Sequence, residues 1–129
     1  APCTLEEFRF LKAAVSGLFM FECLPDHQCQ LLLGLFERHV LGVGETLMRQ
    51  GDAVDSMFVV ESGAFDSFVA KDGGGAARFG RSYAPGDVLG AVALLLQRGV
   101  SETVLSRGPG SVWAISRGRF RQSLESLDA

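Results

Sequence analysis

Tyr83-Ala84-Pro85-Gly86-Asp87-Val88-Leu89-Gly90, running on into Ala91-Val92-Ala93-Leu94-Leu95-Leu96, is the stretch that decides the fold. Pro-Gly-Asp is turn chemistry: Pro presets φ, and Gly takes the positive φ that a tight corner needs. Val88-Leu89 then reads as a very short strand. Residues 90–96 show no apolar/polar alternation, so they read as a short helix inserted between strands.

Working outward, the same grammar repeats. Upstream, strands are predicted near 38–43, 46–49, 56–62, 64–70 and 76–83; downstream, near 102–106 and 111–115. Gly44-Glu45, Gln50-Gly51-Asp52, Gly63 and Asp72-Gly73-Gly74-Gly75 supply corners between them. With 88–89 this makes eight short strands, the pattern of a jelly-roll barrel. Before the strands, Thr4-Leu5-Glu6-Glu7 has capping-box form. Leu5, Phe8, Leu11, Lys12 and Val15 follow at helical spacing, predicting an inward stripe. Ser16-Gly17 breaks it, and residues 18–21 form an apolar elbow. A second helix starts at Leu24-Pro25-Asp26 and is predicted to reach about Phe36, carrying Leu31, Leu32 and Leu35. Ser116 caps a last helix over 117–127, with Phe120, Leu124 and Leu127 on one stripe. The expected chain is one domain over 1–129, mainly β with flanking helices. It has an N-terminal helical bundle at 1–36, an eight-stranded jelly roll at 37–116 interrupted by the helix at 90–96, and a C-terminal helix at 117–129.

Composition agrees. A chain of 129 residues with 47% apolar and 21% charged side chains is long enough for one real core and too short for two ordinary domains. No apolar run is long enough to span a bilayer, so no membrane partner is expected. The start, Ala1-Pro2-Cys3-Thr4, lacks the basic and apolar regions of a signal peptide. Three cysteines, Cys3, Cys23 and Cys29, are too few and too odd for a disulfide framework. A reducing compartment follows, and the cytoplasm is the expected location. The net charge is −3, with ten acids and four bases in residues 1–66 against five acids and eight bases in 67–129. That balance excludes a wrapped nucleic acid as the partner. Arg107, Arg117, Arg119 and Arg121 read as a solvated face.

Catalytic and metal-binding patterns are missing. Cys23 and His27 are four apart, but a fourth zinc ligand is not evident and Cys29 falls off their face. His39 has no nucleophile partner. Gly73–Gly75 lacks the Lys-Ser/Thr of a phosphate loop. Asp52 and Asp55 sit in a turn, where Asp is common. Trp113 is expected in the core or at a seam. The chain is therefore read as a non-enzyme with no metal and no cofactor.

The ordered set of pieces resembles a cyclic nucleotide-binding domain, most like those in regulatory subunits of cAMP-dependent protein kinase. It consists of Gly44-Glu45-Thr46-Leu47, Gln50-Gly51-Asp52, Met57-Phe58-Val59-Val60-Glu61-Ser62-Gly63, the stretch from Tyr83 to Gly90, and Val112-Trp113-Ala114-Ile115-Ser116-Arg117. The likeness covers nearly the whole chain. It implies a phosphate-binding cassette of the form Phe-Gly-Glu-Leu-Ala-Leu, then Pro-Arg-Ala-Ala-Thr-Val. In that family the helix amides and the Arg hold the cyclic phosphate, and the Glu holds the ribose 2′-hydroxyl.

The cassette here is degenerate. Leu89 and Gly90 keep the frame, but Ala91 stands at the Glu position, Gly99 at the Pro position and Val100 at the Arg position. The resemblance thus places the ligand site at Leu89, Gly90, Ala91, Val92, Ala93, Arg98, Val100 and Ser101, with Thr103 offering a further hydroxyl. Arg98, Val100 and Glu102 share a face in an extended strand. An Arg98–Glu102 surface pair is the favoured reading of those charges. The expectation is a regulatory, signalling small-molecule-binding module that has lost tight cAMP and cGMP binding. A nucleoside or a weakly bound cyclic nucleotide is the expected ligand. The alternative is a ligand-free scaffold that docks a protein kinase catalytic subunit; Leu94, Leu95 and Leu96 either form part of that docking surface or, at least as readily, pack on the roll.

Overall fold

The computed structural model describes residues 4–71, 76–94 and 99–125. Three helices come first: α1 (Leu5–Val15), α2 (Phe19–Glu22) and α3 (Asp26–Leu33). Eight strands follow: β1 (Glu37–Leu41), β2 (Thr46–Met48), β3 (Ser56–Ser62), β4 (Phe65–Val69), β5 (Arg78–Tyr83), β6 (Val88–Leu89), β7 (Thr103–Ser106) and β8 (Gly110–Ser116). A 3-10 turn, Ala91–Leu94, lies between β6 and β7, and α4 (Arg117–Glu125) follows β8. This is the mainly β architecture expected, with flanking helices.

The strands form two antiparallel four-stranded sheets, in the orders β1-β8-β3-β6 and β2-β7-β4-β5. Two cores result. Between the sheets lies one made of Leu41, Met48, Val60, Phe65, Tyr83, Leu89, Val104 and Val112, one buried side chain from each strand. The second lies on the outer face of the first sheet. There Met57, Val59, Trp113 and Ile115 pack against Leu11, Val15, Phe21, Leu32, Leu33 and Phe120 of the helices. Each fully buried Leu, Phe or Met contributes about 1.5–3 kcal/mol, so both cores are substantial.

The helix ends follow local chemistry. Thr4 Oγ1 accepts from Glu7 N at 3.1 Å, and Thr4 N donates to Glu7 Oε1 at 2.8 Å, a complete capping box. Ser116 Oγ accepts from Arg119 N at 3.2 Å and caps α4.

The helix readings need correction. Leu5 and Lys12, expected on the inward stripe of α1, are exposed, Leu5 by 63%; Leu31 of α3 is exposed as well, 60%. Leu5 lies in the first turn of α1, beyond the reach of the core that takes Leu11 and Val15. In α3 the inward side is held by Gln28, Leu32 and Leu33. Gln28 is buried because its amide donates to the carbonyl and hydroxyl of Ser123, which turns Leu31 outward. The helix also stops at Leu33, not near Phe36, because the chain turns at Gly34. The apolar elbow contains the short helix α2. Cys3, the Asp72–Gly75 corner, Leu95, Leu96, Arg98 and Leu127 lie outside the described residues.

Candidate functional site

The frame of the cassette is held by backbone hydrogen bonds. Ala84 N donates to Asp87 Oδ2 at 2.8 Å, and Asp87 N donates to Ala84 O at 3.0 Å. Gly86, at φ +94, donates to Val60 O at 2.8 Å, and Val60 N donates to Asp87 O at 2.9 Å. The Pro-Gly-Asp corner is thereby stitched to β3. Gly90 is required twice over. Its φ is +72, and a Cβ on it would stand 2.8 Å from the Ser56 carbonyl oxygen. The chain can thus enter the 3-10 turn only by passing close against β3.

The structure brings the expected site residues to different places. Leu89 is buried in the barrel core. Ala91 is half-buried and packs towards the helical core, where Leu94 is fully buried. Leu94 is therefore packing, the other of the two readings open for it, and not a docking surface. Val92 is exposed, and Ser101 is exposed. For Ala93 only the backbone within the turn is described. Val100 is half-buried and packs on the barrel core. Its N–H donates to Asp52 O at 2.9 Å, and its carbonyl accepts from Gly51 N at 2.9 Å. Gly99 pairs with Ala53 in a bridge. Thr103 Oγ1 accepts from Gln50 N at 3.0 Å, so its hydroxyl is committed to the framework.

Glu102 has an unforeseen partner. Its carboxylate accepts a hydrogen bond from the Tyr83 phenol, across sheet β2-β7-β4-β5. The Arg81 guanidinium lies over the Tyr83 ring, 4.5 Å from its centroid. Burial first, and then the Glu102 hydrogen bond and charge, push the phenol up to about 12, against an opposing effect of Arg81. The expected Arg98–Glu102 pair involves Arg98, which lies outside the described residues. Val100 and Val104 pack in or on the barrel core, and Glu102 reaches that core through its bond to Tyr83. Alternation could have shown that positions 81 and 83 share one side of β5. Nothing in a linear sequence aims that side at residue 102.

The remaining constellations sort into framework. Trp113 Nε1 donates to Glu61 Oε2 at 2.7 Å, and Glu61 Oε1 also accepts from Ser111 Oγ and Arg38 Nε, both at 2.6 Å. Trp113 is at a seam, as the sequence predicts. Asp66 takes Arg107 in a two-pronged pair, at 2.6 and 3.1 Å. This removes Arg107 from a purely solvated cluster. Cys23 and His27 are exposed, and burial pushes the half-buried Cys29 thiol up. Among the described residues no three metal-binding side chains gather, and no helix is long and apolar enough to cross a membrane. His39 lines a small open cleft with Leu35, Glu37, Ser56, Ala114, Ser116 and Arg119. The Arg119–Glu37 ion pair, 3.0 Å, closes one side of it.

Comparison with known proteins agrees with this geometry. Residues 38–126 match the family model described as the cyclic nucleotide-binding domain. A cAMP-dependent protein kinase regulatory subunit of Neurospora crassa is 36% identical over 95% of this chain, which covers 34% of that relative. The chain spans about a third of the length of the curated relatives it matches. A cyclic nucleotide-binding-like protein from Brucella abortus superposes with a TM-score of 0.79 at 30% identity, covering 93% of this chain and 98% of that one. The regulatory subunit of a cAMP-independent protein kinase A from Trypanosoma cruzi, bound to guanosine, superposes with a TM-score of 0.75 at 17% identity, covering 94% and 41%. That last likeness is one of fold alone. These relatives are binding and regulatory proteins, in keeping with the reading of a non-enzyme. By its sequence match and its eight-stranded roll, this chain belongs to the cyclic nucleotide-binding domain family.

Proposed function

We propose that this chain is a regulatory ligand-binding module whose cassette no longer holds cyclic nucleotides tightly and takes an uncharged ligand, a nucleoside, instead. The observation that carries this is Val100. An apolar side chain packs on the barrel core at the position that resembles the phosphate-binding Arg of the family. Ala91 supplies no carboxylate for a ribose. A charged hydrogen bond contributes about 1.5–3 kcal/mol, and about 1.4 kcal/mol is tenfold in affinity. Glu102 adds to the loss. Residues two apart in a chain lie at most about 7 Å apart. Like charges at that distance repel by about 2 kcal/mol at an effective dielectric of about 20. An anion seated at Val100 would meet that carboxylate. The guanosine bound by the Trypanosoma cruzi regulatory subunit shows that this fold can hold such a ligand.

In this reading the ligand shifts the 3-10 turn, and the turn acts on the helices through Leu94. The output partner is a protein kinase catalytic subunit, as the likeness to kinase regulatory subunits suggests. We place the module in the cytoplasm, in keeping with the free thiols of Cys23 and Cys29. A second reading, a ligand-free scaffold docking that catalytic subunit, is favoured by Val100 packing on the barrel core and by Val92 of the 3-10 turn standing 52% exposed.

Thermal melting against cAMP, cGMP, adenosine and guanosine at millimolar concentration separates the two. A ligand at 100 times its Kd stabilises by about 2.7 kcal/mol, several degrees for a domain this size. A shift with nucleosides alone is the expected result. A large shift with cAMP sinks the proposal, and no shift with any ligand favours the scaffold.

A further inference from the structure

Two half-buried carboxylates of this chain differ in how their acceptor capacity is used. A carboxylate offers about four lone-pair sites. Glu61 fills its share with Arg38, Ser111 and Trp113, three donors that lock it as framework. Among the described residues, the hydrogen-bond donor to Glu102 is a single group, the Tyr83 phenol. The barrel core around that phenol is otherwise apolar. Of its eight side chains, one from each strand, Tyr83 is the one with a polar atom capable of donating. Val100, two positions before Glu102, packs on that core. Among the described residues, the acceptor held by this one donor therefore sits two positions from the cassette residue that has become apolar.

We propose that Glu102 is the polar anchor of the cassette: it accepts a hydrogen bond from an O–H or N–H of an uncharged nucleoside, which replaces the Tyr83 phenol on the carboxylate. This rests on the reading of the chain as a nucleoside-binding module and assigns the residue that selects the ligand. Val100 supplies apolar contact, and the Glu102 charge excludes anions. In the structure the phenol occupies the acceptor, with the Arg81 guanidinium over its ring. Ligand binding and release of the phenol are then one event.

The test uses the 129-residue chain, in which Tyr83 is the only tyrosine. Tyrosine labelled with ¹³C at Cζ therefore gives one resonance. Guanosine and adenosine are titrated into the wild type, Glu102→Gln and Tyr83→Phe, with cAMP as the anionic probe. Nucleosides are expected to shift the Tyr83 resonance. Glu102→Gln should weaken them about tenfold, the loss of one charge-assisted hydrogen bond, and strengthen cAMP by a similar factor. Tyr83→Phe should strengthen nucleosides, because the competing donor is gone. Nucleosides that bind without moving the Tyr83 resonance, or with undiminished affinity for Glu102→Gln, overturn this assignment and leave the module reading intact. If no nucleoside binds the wild type, both fall together. Should a variant fail to fold, the wild-type resonance decides alone.

Discussion

Gly90 carries two constraints at once, a positive φ and a backbone neighbour in the way of any Cβ. Gly90→Ala is expected to cost about 1–3 kcal/mol from the backbone conformation alone, with the clash against Ser56 O on top. Urea unfolding checks this; a variant as stable as the wild type would show that β3 can move away. Glu61 makes a pH prediction. Burial pushes its carboxyl up, but hydrogen bonds from Ser111, Arg38 and Trp113 and the Arg38 charge outweigh it and hold it below the usual carboxylate range. A folded pKa below the unfolded one adds stability above about pH 4.3 that is lost as pH falls through the folded value. The melting temperature should therefore drop on acidification from about pH 5 to 3. Glu61→Gln, which carries no titrating proton there, should flatten part of that slope. An unchanged slope would mean that Asp66, also lowered by its bonds from Arg107 and Ser82, carries the effect. At this scale the sequence reads the replaced positions Ala91 and Val100 directly, because each is a departure from a motif. The Tyr83–Glu102 bond is not readable. Its partners are nineteen positions apart in sequence and meet only after β4 has been laid between their strands.

Among the elements, strands are read well and helix ends less well. Period-two alternation and corner glycines mark each strand to within about two residues, since a slip of one would turn the inward set outward. Helix faces are softer, because a stripe can rotate when a polar side chain finds a buried partner. Gln28 does this with Ser123, and Leu31 yields its place. Gln28→Ala is accordingly expected to destabilise by about 1–3 kcal/mol, more than Leu31→Ala, because it removes a buried donor from polar partners. Comparable losses for the two in chemical denaturation would contradict the burial assigned to them. Ser116→Ala should cost about 1 kcal/mol as the lost cap of α4. The same method reads it, and no change would mean that the helix start is held by Arg117 N bonding to Asp55 O, 2.7 Å.

Across the whole molecule, two cores share one sheet. The chain should therefore unfold in a single step. Fluorescence of Trp113, its only tryptophan, reports the helical side, and the lone Tyr83 reports the barrel side. Coincident melting curves from the two are expected; curves several degrees apart would show that the helices detach first. The shared sheet also gives β3 something like a reading frame. Met57 and Val59 belong to one core, while Phe58 and Val60 belong to the other. Losing or gaining one codon within Ser56–Val60 would send each side chain into its neighbour's compartment and ruin both interiors at once. Lineages carrying this roll can change length only at its corners, so insertions and deletions should gather where Lys71 leaves β4 and be absent from the five positions of that wall.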